Sequence, residues 1–303
     1  ITSLMEHARK FHGDAEVVSV TADQPLHRYT YREAFARTAR LANALARFGM
    51  RPGERVGTLA WNDYRHLEVY FATSSSGFVC HTINPRLFPE QIEYIVEHAE
   101  DRWLFVDPAF VPLLEALKHR LGCVEGFVIL GPAGAAANTT LRNAVDYETL
   151  IAGEPDTFDW PELDENSACS MCYTSGTTGN PKGVVYSHRA LVLHTYGCLM
   201  PDVMNLSARE VVMPVVPMFH VNAWNIPYGA AVVGAKLVFP GPKMGDGETL
   251  QRLIEGEGVT VTAGVPTVWL ALLAHLNKTG KTVPSLRRVI VGGSACPQAI
   301  MEE

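Results

Sequence analysis

The chain has 303 residues, of which 47% are hydrophobic and 19% are charged, which is the balance of a globular protein with a substantial core. Its formal net charge is −7 and its basic residues are scattered, which argues against nucleic acid as the main partner. Six cysteines in this length are too few for a disulfide framework, so we expect a reducing, cytoplasmic setting.

Two local patterns raise the question of a metal site and of a membrane span. Cys169 and Cys172 form a C-x-x-C pair, but no second pair or His cluster accompanies them, so we favour buried cysteines over a metal or redox site. The stretch 211–235 contains no charged residue and is long enough to cross a bilayer. Its prolines, histidine and asparagines would leave polar groups unpaired in lipid, so we expect a buried strand, a loop and a buried helix. We therefore predict a protein that is not transmembrane, either cytoplasmic or peripheral to a membrane.

Helical and β-type segments alternate along the first half of the chain. Apolar residues at helical spacing predict helices at 29–50, 64–80 and 91–101. Short apolar runs predict strands at 55–61, 103–107 and 123–130. The segment 131–167 is rich in turn formers and acids, and we expect a surface connection with one short helix. A strand at 168–176 follows it.

The second half continues the alternation. The predicted segments are a helix at 188–200, a strand at 210–217, a helix at 223–234, a strand at 235–239, a helix at 247–258, a strand at 259–265, a helix at 266–278 and a strand at 286–293. Strands separated by helices predict an α/β fold with two parallel-rich sheets flanked by helices. We divide the chain into a first α/β subdomain, 1–195, which ends in the loop described next, and a second, 196–303, that is incomplete at its C-terminus.

A loop rich in glycine and hydroxyl groups follows the strand at 168–176. Two glycines allow backbone N–H groups to converge on an anion, four hydroxyl groups can follow a polyphosphate, and one lysine adds a mobile positive charge. A polar surface turn would not need so many of these residues in succession. We therefore predict a phosphate-binding loop formed by Thr174, Ser175, Gly176, Thr177, Thr178, Gly179 and Lys182.

The neighbours of Lys182 distinguish this loop from the P-loop of kinases and ATPases. The P-loop pattern requires Gly before the lysine and Ser or Thr after it, whereas this chain has Pro181 and Gly183 at those positions. The hydroxyl that would bind magnesium is therefore missing. A P-loop kinase or ATPase is the weaker interpretation.

Four motifs together resemble the adenylate-forming superfamily, which includes acyl-CoA synthetases, luciferases and peptide adenylation domains. They are YTSGTTGNPKGV at 173–184, VPMFHVNAW at 216–224, TAGVPTVW at 262–269 and RVIVGGSACP at 288–297. The resemblance covers nearly the whole chain and is greatest to the long- and medium-chain fatty acyl-CoA synthetases. It implies the large N-terminal domain of such an enzyme, with the rest of that domain and the small C-terminal domain absent.

The resemblance implies an activity and its partners. Members activate a carboxylic acid as acyl-AMP with release of pyrophosphate and then transfer the acyl group to coenzyme A, so ATP, Mg²⁺, CoA and a fatty or other apolar acid are the expected ligands. The family's later magnesium-binding Glu and catalytic Lys would follow Glu303, so we expect this chain alone to be inactive. Two alternatives stay open: a ligase for a short, aryl or sulfur-containing acid, and a truncated nucleotide-binding module without turnover. A homodimer is expected by analogy alone.

Matching motif positions assigns roles to individual residues. The resemblance implies catalytic roles for His220 and Lys182 and a magnesium contact at Thr174. ATP would be bound by the loop residues Thr174, Ser175, Gly176, Thr177, Thr178, Gly179 and Lys182, and by Val221, Trp224 and Gly292. The acyl group would contact His220, Val221, Trp224, Gly264, Val265, Gly293 and Ser294.

Overall fold

A computed structural model describes residues 1–174 and 180–302 of the chain. The described residues form two largely parallel β-sheets flanked by helices, which confirms the predicted α/β fold. Five predicted residues of the phosphate loop, Ser175, Gly176, Thr177, Thr178 and Gly179, lie outside the described residues.

Short strands and longer helices alternate along the chain. The strands are β1 Glu16–Ser19, β2 His27–Thr30, β3 Arg55–Leu59, β4 Val79–Thr82, β5 Asp101–Val106, β6 Gly126–Ile129, β7 Val145–Asp146, β8 Ala168–Thr174, β9 Lys182–Ser187, β10 Val211–Pro214, β11 Lys236–Phe239, β12 Val261–Gly264 and β13 Arg288–Val291. The helices are α1 Thr2–Phe11, α2 Tyr31–Arg47, α3 Tyr64–Ser75, α4 Pro89–Ala99, α5 Val111–Leu117, α6 Tyr147–Ile151, α7 His188–Leu199, α8 Ile226–Val233, α9 Gly247–Glu257, α10 Pro266–Thr279 and α11 Gln298–Glu302. Short 3₁₀ segments occupy Pro108–Phe110, Val221–Asn225 and Gly241–Lys243.

The two sheets combine strands from different parts of the chain. One has the order β7-β6-β5-β3-β4-β8-β9, in which β9 is antiparallel to β8. The other has the order β13-β12-β10-β11-β1-β2, so the N-terminal strands β1 and β2 join the sheet of the second half. The proposed subdomains 1–195 and 196–303 are therefore not a division of the sheets, although residue 195 does separate β3–β9 from β10–β13.

Helix boundaries follow local capping chemistry. At the start of α2, the Thr30 hydroxyl accepts a hydrogen bond from the Glu33 amide at 3.3 Å, and the Glu33 carboxylate accepts one from the Thr30 amide at 2.7 Å. Asp63 caps α3 by accepting from the His66 amide at 2.9 Å. These caps fix where the chain leaves a strand edge and enters a helix.

Two predicted helices differ from the structure, and some strands and helices were not predicted. The helix expected over 64–80 ends at Ser75, because Gly77 takes a φ of 84° and the chain then continues as β4. The helix expected from residue 223 begins at Ile226, after a left-handed turn. Strand β9 was not predicted, because four of its six residues are exposed and edge strands have a weak apolar pattern.

A buried polar cluster joins α2, α3, α6 and the loop after β1. Arg65 is 1% exposed, and its guanidinium donates to Asp23 Oδ1 and to Glu148 Oε1, each at 2.9 Å. Arg37 donates to Glu68 Oε1 at 2.8 Å and also contacts Glu148. Because each buried charge has an opposite partner, the cluster ties these four segments together.

The stretch 211–235 folds as the sequence predicts, with strand β10, a loop and the buried eight-residue helix α8. Over the described ranges, no helix combines the length and apolar character needed to cross a membrane. Cys169 and Cys172 are both buried. Among all the residues that the structure describes, no group of three or more His, Cys, Asp or Glu side chains is arranged to hold a metal ion.

Candidate active site

The two ends of the predicted phosphate loop face each other across a β-hairpin. Thr174 is the last residue of β8, Lys182 is the first residue of β9, and the two are paired in the antiparallel ladder. Both side chains are exposed at the end of the hairpin. The structure therefore brings a hydroxyl and an ammonium group together at the mouth of the loop. Lys182 begins a strand, whereas the lysine of a P-loop begins a helix.

The loop after β10 carries His220. Val215, Val216, Met218 and Phe219 are each at most 2% exposed, so the backbone of this loop runs through the protein interior. His220 itself reaches solvent, and partial burial of its ring lowers its pKa below the ordinary value. A neutral imidazole at neutral pH can donate or accept a hydrogen bond without adding charge.

A left-handed helical turn follows His220. All five residues of Val221–Asn225 have φ between 48° and 59°, and none is glycine. A left-handed conformation costs about 1–2 kcal/mol per residue, less for asparagine, which occupies two of these positions. Such a turn persists where surrounding contacts hold it, and strained backbone of this kind is frequent at functional sites.

Contacts with β8 and α7 hold this turn. The hydroxyl of Ser170 on β8 donates to Asn222 Oδ1 at 3.2 Å. Asn225 Nδ2 donates to the carbonyl of Leu191 on α7 at 3.2 Å. The turn is therefore attached to the strand that leads into the phosphate loop.

The glycines predicted to line the site lie against tryptophan rings. A Cβ atom on Gly292 would be 2.4 Å from the indole of Trp224, so the ring lies directly on the glycine backbone. A Cβ atom on Gly264 would be 2.7 Å from the indole of Trp269. The Gly292 amide donates to the Gly264 carbonyl at 3.3 Å, which brings the two glycine–indole pairs side by side.

The remaining predicted acyl-site residues lie at the same edge of the sheet. Gly293, with a φ of 80°, approaches Val265 so closely that an added Cβ would be 3.0 Å from Val265 Cγ1. Ser294 follows Gly293 and is exposed. The structure thus brings Trp224, Gly264, Val265, Gly292 and Gly293 together, with Ser294 beside them.

A cavity of about 350 Å³ opens beside His220 and Val265. Its other lining residues, none of which the sequence analysis selected, are Asn84, Arg86, Val215, Pro217, Phe219, Met244, Gly245, Thr267 and Val268. Asn84 and Arg86 follow strand β4, and the Arg86 guanidinium lies 5.7 Å from the centre of the Phe219 ring. The rule that open α/β sheets bind ligands at the carboxyl ends of their strands would have included both residues.

Thr174 suits the magnesium contact that the resemblance implies. Its exposed hydroxyl is a single neutral oxygen ligand. Mg²⁺ usually takes one or two protein ligands, with phosphate oxygens and water completing its octahedron. Thr174 would therefore hold an ion that is mainly bound by the phosphates of ATP.

Comparison with known proteins gives these motifs a family context. A sequence profile described as AMP-binding enzyme matches residues 4–303. The 3-methylmercaptopropionyl-CoA ligase of Ruegeria lacuscaerulensis is 51% identical over 99% of this chain and 56% of its own length. The medium-chain-fatty-acid–CoA ligase of Ectopseudomonas oleovorans is also 51% identical, over 100% of this chain and 55% of its own. The long-chain-fatty-acid–CoA ligase of Thermus thermophilus is 49% identical over 98% and 53%.

The chain spans about half the length of these curated relatives. Solved structures share its fold. A long-chain-fatty-acid-CoA ligase from Archaeoglobus fulgidus has a TM-score of 0.86 at 21% identity, covering 99% of this chain and 59% of that one. The N-terminal domain of FACL13 from Mycobacterium tuberculosis has a TM-score of 0.85 at 21% identity, covering 99% and 71%.

Proposed function

The chain belongs to the AMP-binding enzyme family, as its motifs predicted, and we propose that it forms part of an ATP-dependent carboxylate–CoA ligase. In the first step a carboxylate oxygen attacks the α-phosphorus of ATP. The bond to the bridging oxygen breaks, and pyrophosphate leaves while acyl-AMP forms. In the second step the thiolate of CoA attacks the acyl carbonyl carbon and AMP leaves.

One observation carries this proposal. The mouth of the phosphate loop, formed by Thr174 and Lys182, is attached to the His220 turn through β8, because the hydroxyl of Ser170 on that strand donates to Asn222 Oδ1 in the turn. A ligand whose phosphates occupy the loop would therefore extend toward His220. That is the arrangement needed for a carboxylate to meet the α-phosphate of ATP in line.

The proposed roles follow from this arrangement. Thr174 and Lys182, with the loop between them, bind the β- and γ-phosphates and offset the charge that develops on the leaving pyrophosphate. His220 donates a hydrogen bond to an oxygen of the forming acyl phosphate. When Mg²⁺ is bound, it neutralises phosphate oxygens and so helps to position ATP.

The apolar groups beside the site favour an apolar acid. Val265, Gly292 and Gly293 contribute backbone and aliphatic surface, and Trp224 and Val221 contribute side chains. A fatty acid is the favoured substrate. A sulfur-containing acid is a second candidate, because the 3-methylmercaptopropionyl-CoA ligase is as similar to this chain as the medium-chain ligase is.

The test is pyrophosphate exchange and CoA-dependent AMP formation by the full-length enzyme with a series of acids. The series includes acetate, 3-methylmercaptopropionate, benzoate, octanoate and palmitate. We expect the highest kcat/KM with octanoate or palmitate. A maximum with 3-methylmercaptopropionate or benzoate would select the alternative ligase. If none of the acids supports pyrophosphate exchange, the result would favour a nucleotide-binding module without turnover.

Lys182 distinguishes this mechanism from that of a kinase. Lys182→Ala together with Thr174→Ala should lower the exchange rate at least a hundredfold while ATP still binds. Lys278→Ala, which removes an exposed lysine in the last turn of α10, is the matched control and should leave the rate unchanged. Complete loss of ATP binding in the double variant would support the kinase reading instead.

A further inference from the structure

One buried side chain bonds to three backbone groups of the loop that leads to His220. Asn62 is 0% exposed and lies between β3 and α3, on the other sheet from the loop. Its Nδ2 donates to the carbonyl of Pro214 at 3.0 Å and to that of Val216 at 2.8 Å. Its Oδ1 accepts from the Met218 amide at 2.7 Å. Both amide hydrogens and the amide oxygen of Asn62 are therefore used.

The loop needs such a partner because it is irregular and buried. Buried backbone N–H and C=O groups that lack a hydrogen bond each cost about 1–3 kcal/mol. Beyond Pro214 the alternate carbonyl and amide groups of Val216 and Met218 face Asn62, as they would face a neighbouring strand. The hydroxyl of Tyr70 on α3 also donates to the Met218 carbonyl. Two side chains from the segment that follows β3 thus bind a loop that follows a strand of the other sheet.

Asn62 is itself held on both sides. Its carbonyl accepts from the Gly241 amide at 3.1 Å. The next residue, Asp63, caps α3, and burial raises the pKa of the Asp63 carboxyl to about 7. A side chain attached to such a constrained backbone can fix the position of whatever it binds.

We propose that Asn62 is a positioning residue for His220, acting through three hydrogen bonds to residues 214–218 with the support of the Tyr70 hydroxyl. Met218 is two residues from His220, and the His220 amide donates to the Pro217 carbonyl at 3.1 Å. A shift of the loop therefore moves the imidazole relative to the phosphate loop. This inference rests on the proposed function for its catalytic consequence, although its structural consequence can be measured without any activity.

The test compares Asn62→Ser with a matched variant, Asn43→Ser, in the full-length enzyme. Asn43 also fastens a loop with its side-chain amide, which donates to the carbonyls of Pro155 and Thr157 at 3.0 and 2.9 Å. Asn62→Ser should lower kcat for pyrophosphate exchange at least tenfold, because a displacement of about 1 Å can cost a hundredfold in rate. The KM for ATP should change less than threefold. Asn43→Ser should leave kcat within twofold of the wild type.

A second readout does not depend on catalysis. The pH dependence of His220 labelling by diethylpyrocarbonate, followed by mass spectrometry, reports the pKa of His220. In the wild type its midpoint should lie below about 6.5, and in Asn62→Ser it should rise toward that value as the ring gains solvent. Arg86, which lines the same cavity, keeps its charge over this range. Asn43→Ser should leave the midpoint unchanged.

The outcomes separate the two claims. The wild-type enzyme could show the expected pH midpoint of His220 labelling and yet have no exchange activity. That result would refute the proposed function, while the labelling midpoint of Asn62→Ser would still test the positioning role of Asn62. An unchanged midpoint and kcat in Asn62→Ser would overturn the positioning role. If Asn62→Ser does not fold, Tyr70→Phe loosens the same loop by one hydrogen bond and should move the midpoint in the same direction. No movement in Tyr70→Phe would then overturn the inference.

Discussion

The contact between Trp224 and Gly292 predicts that one added methyl group will displace the indole. A Cβ atom at residue 292 would lie 2.4 and 2.6 Å from two atoms of the ring, whereas carbon atoms normally approach to about 3.5–4.0 Å. Relief of this overlap requires the ring to move by about 1 Å. Overpacking of this size costs about 1–3 kcal/mol, so Gly292→Ala should destabilise the protein by that amount.

Removal of the indole should reverse the sign of this effect. In a Trp224→Ala background the added methyl group meets no ring, and alanine restricts the unfolded chain more than glycine does. Because the φ of Gly292 is not positive, Gly292→Ala should then stabilise by about 0.4–1 kcal/mol. Guanidinium unfolding of the wild type, both single variants and the double variant measures this coupling. An equal cost of Gly292→Ala in both backgrounds would refute the reasoning.

Gly264→Ala is the comparison for this experiment. An added Cβ there would be 2.7 Å from the indole of Trp269, which is 3% exposed and belongs to helix α10. Trp224 is more exposed and lies in a short turn. Gly264→Ala should therefore cost more than Gly292→Ala, because the Trp269 ring has less room to move.

Three further predictions concern stability. Arg65→Leu should cost about 3–5 kcal/mol in urea unfolding, because it leaves the Asp23 carboxylate without its arginine and removes one of the two arginines that bind Glu148; a loss below 1 kcal/mol would contradict this. Burial lowers the pKa of His66 to about 4, so the unfolded chain binds a proton that the folded chain does not between pH 6.5 and 4. As the pH falls from 6.5 to 4, protonation of this histidine in the unfolded chain should lower the free energy of unfolding by about 3 kcal/mol. In His66→Gln the free energy of unfolding should depend correspondingly less on pH. Thr30→Ala, which removes the capping box of α2, should lower the thermal midpoint by an amount equivalent to about 1 kcal/mol, whereas Thr30→Ser should retain most of it.

Local signals predicted the elements whose boundaries depend on local chemistry. Helix α2 followed from its apolar spacing, and the Thr30–Glu33 capping box explains its start. Strands β8, β10 and β12 followed from buried apolar runs. The edge strand β9 was missed because its exposed residues lack that pattern, and its pairing with β8 depends on the whole sheet.

The candidate site was predictable where a motif marks it and not where packing creates it. Thr174 and Lys182 came from a motif, and their pairing across the hairpin agrees with a shared role that stays a proposal. The left-handed turn at Val221–Asn225 could not be anticipated, because five successive residues other than glycine rarely adopt this conformation. Asn62 carries no sequence signal, since its partners are more than 150 residues away.

The pairing of β1 with β11 has a consequence for how the chain folds during synthesis. Val17 pairs with Leu237, so strand β1 cannot join its parallel neighbour β11 until the ribosome has made Lys236–Phe239. At about 5–20 residues per second, this delay lasts about 10–40 s. Strands β3 to β9 lie between these partners and can form their own sheet in the meantime. Strand β1 therefore lacks its β11 partner while the sheet of β3 to β9 forms. During this interval its apolar valines are accessible to chaperones that bind nascent chains.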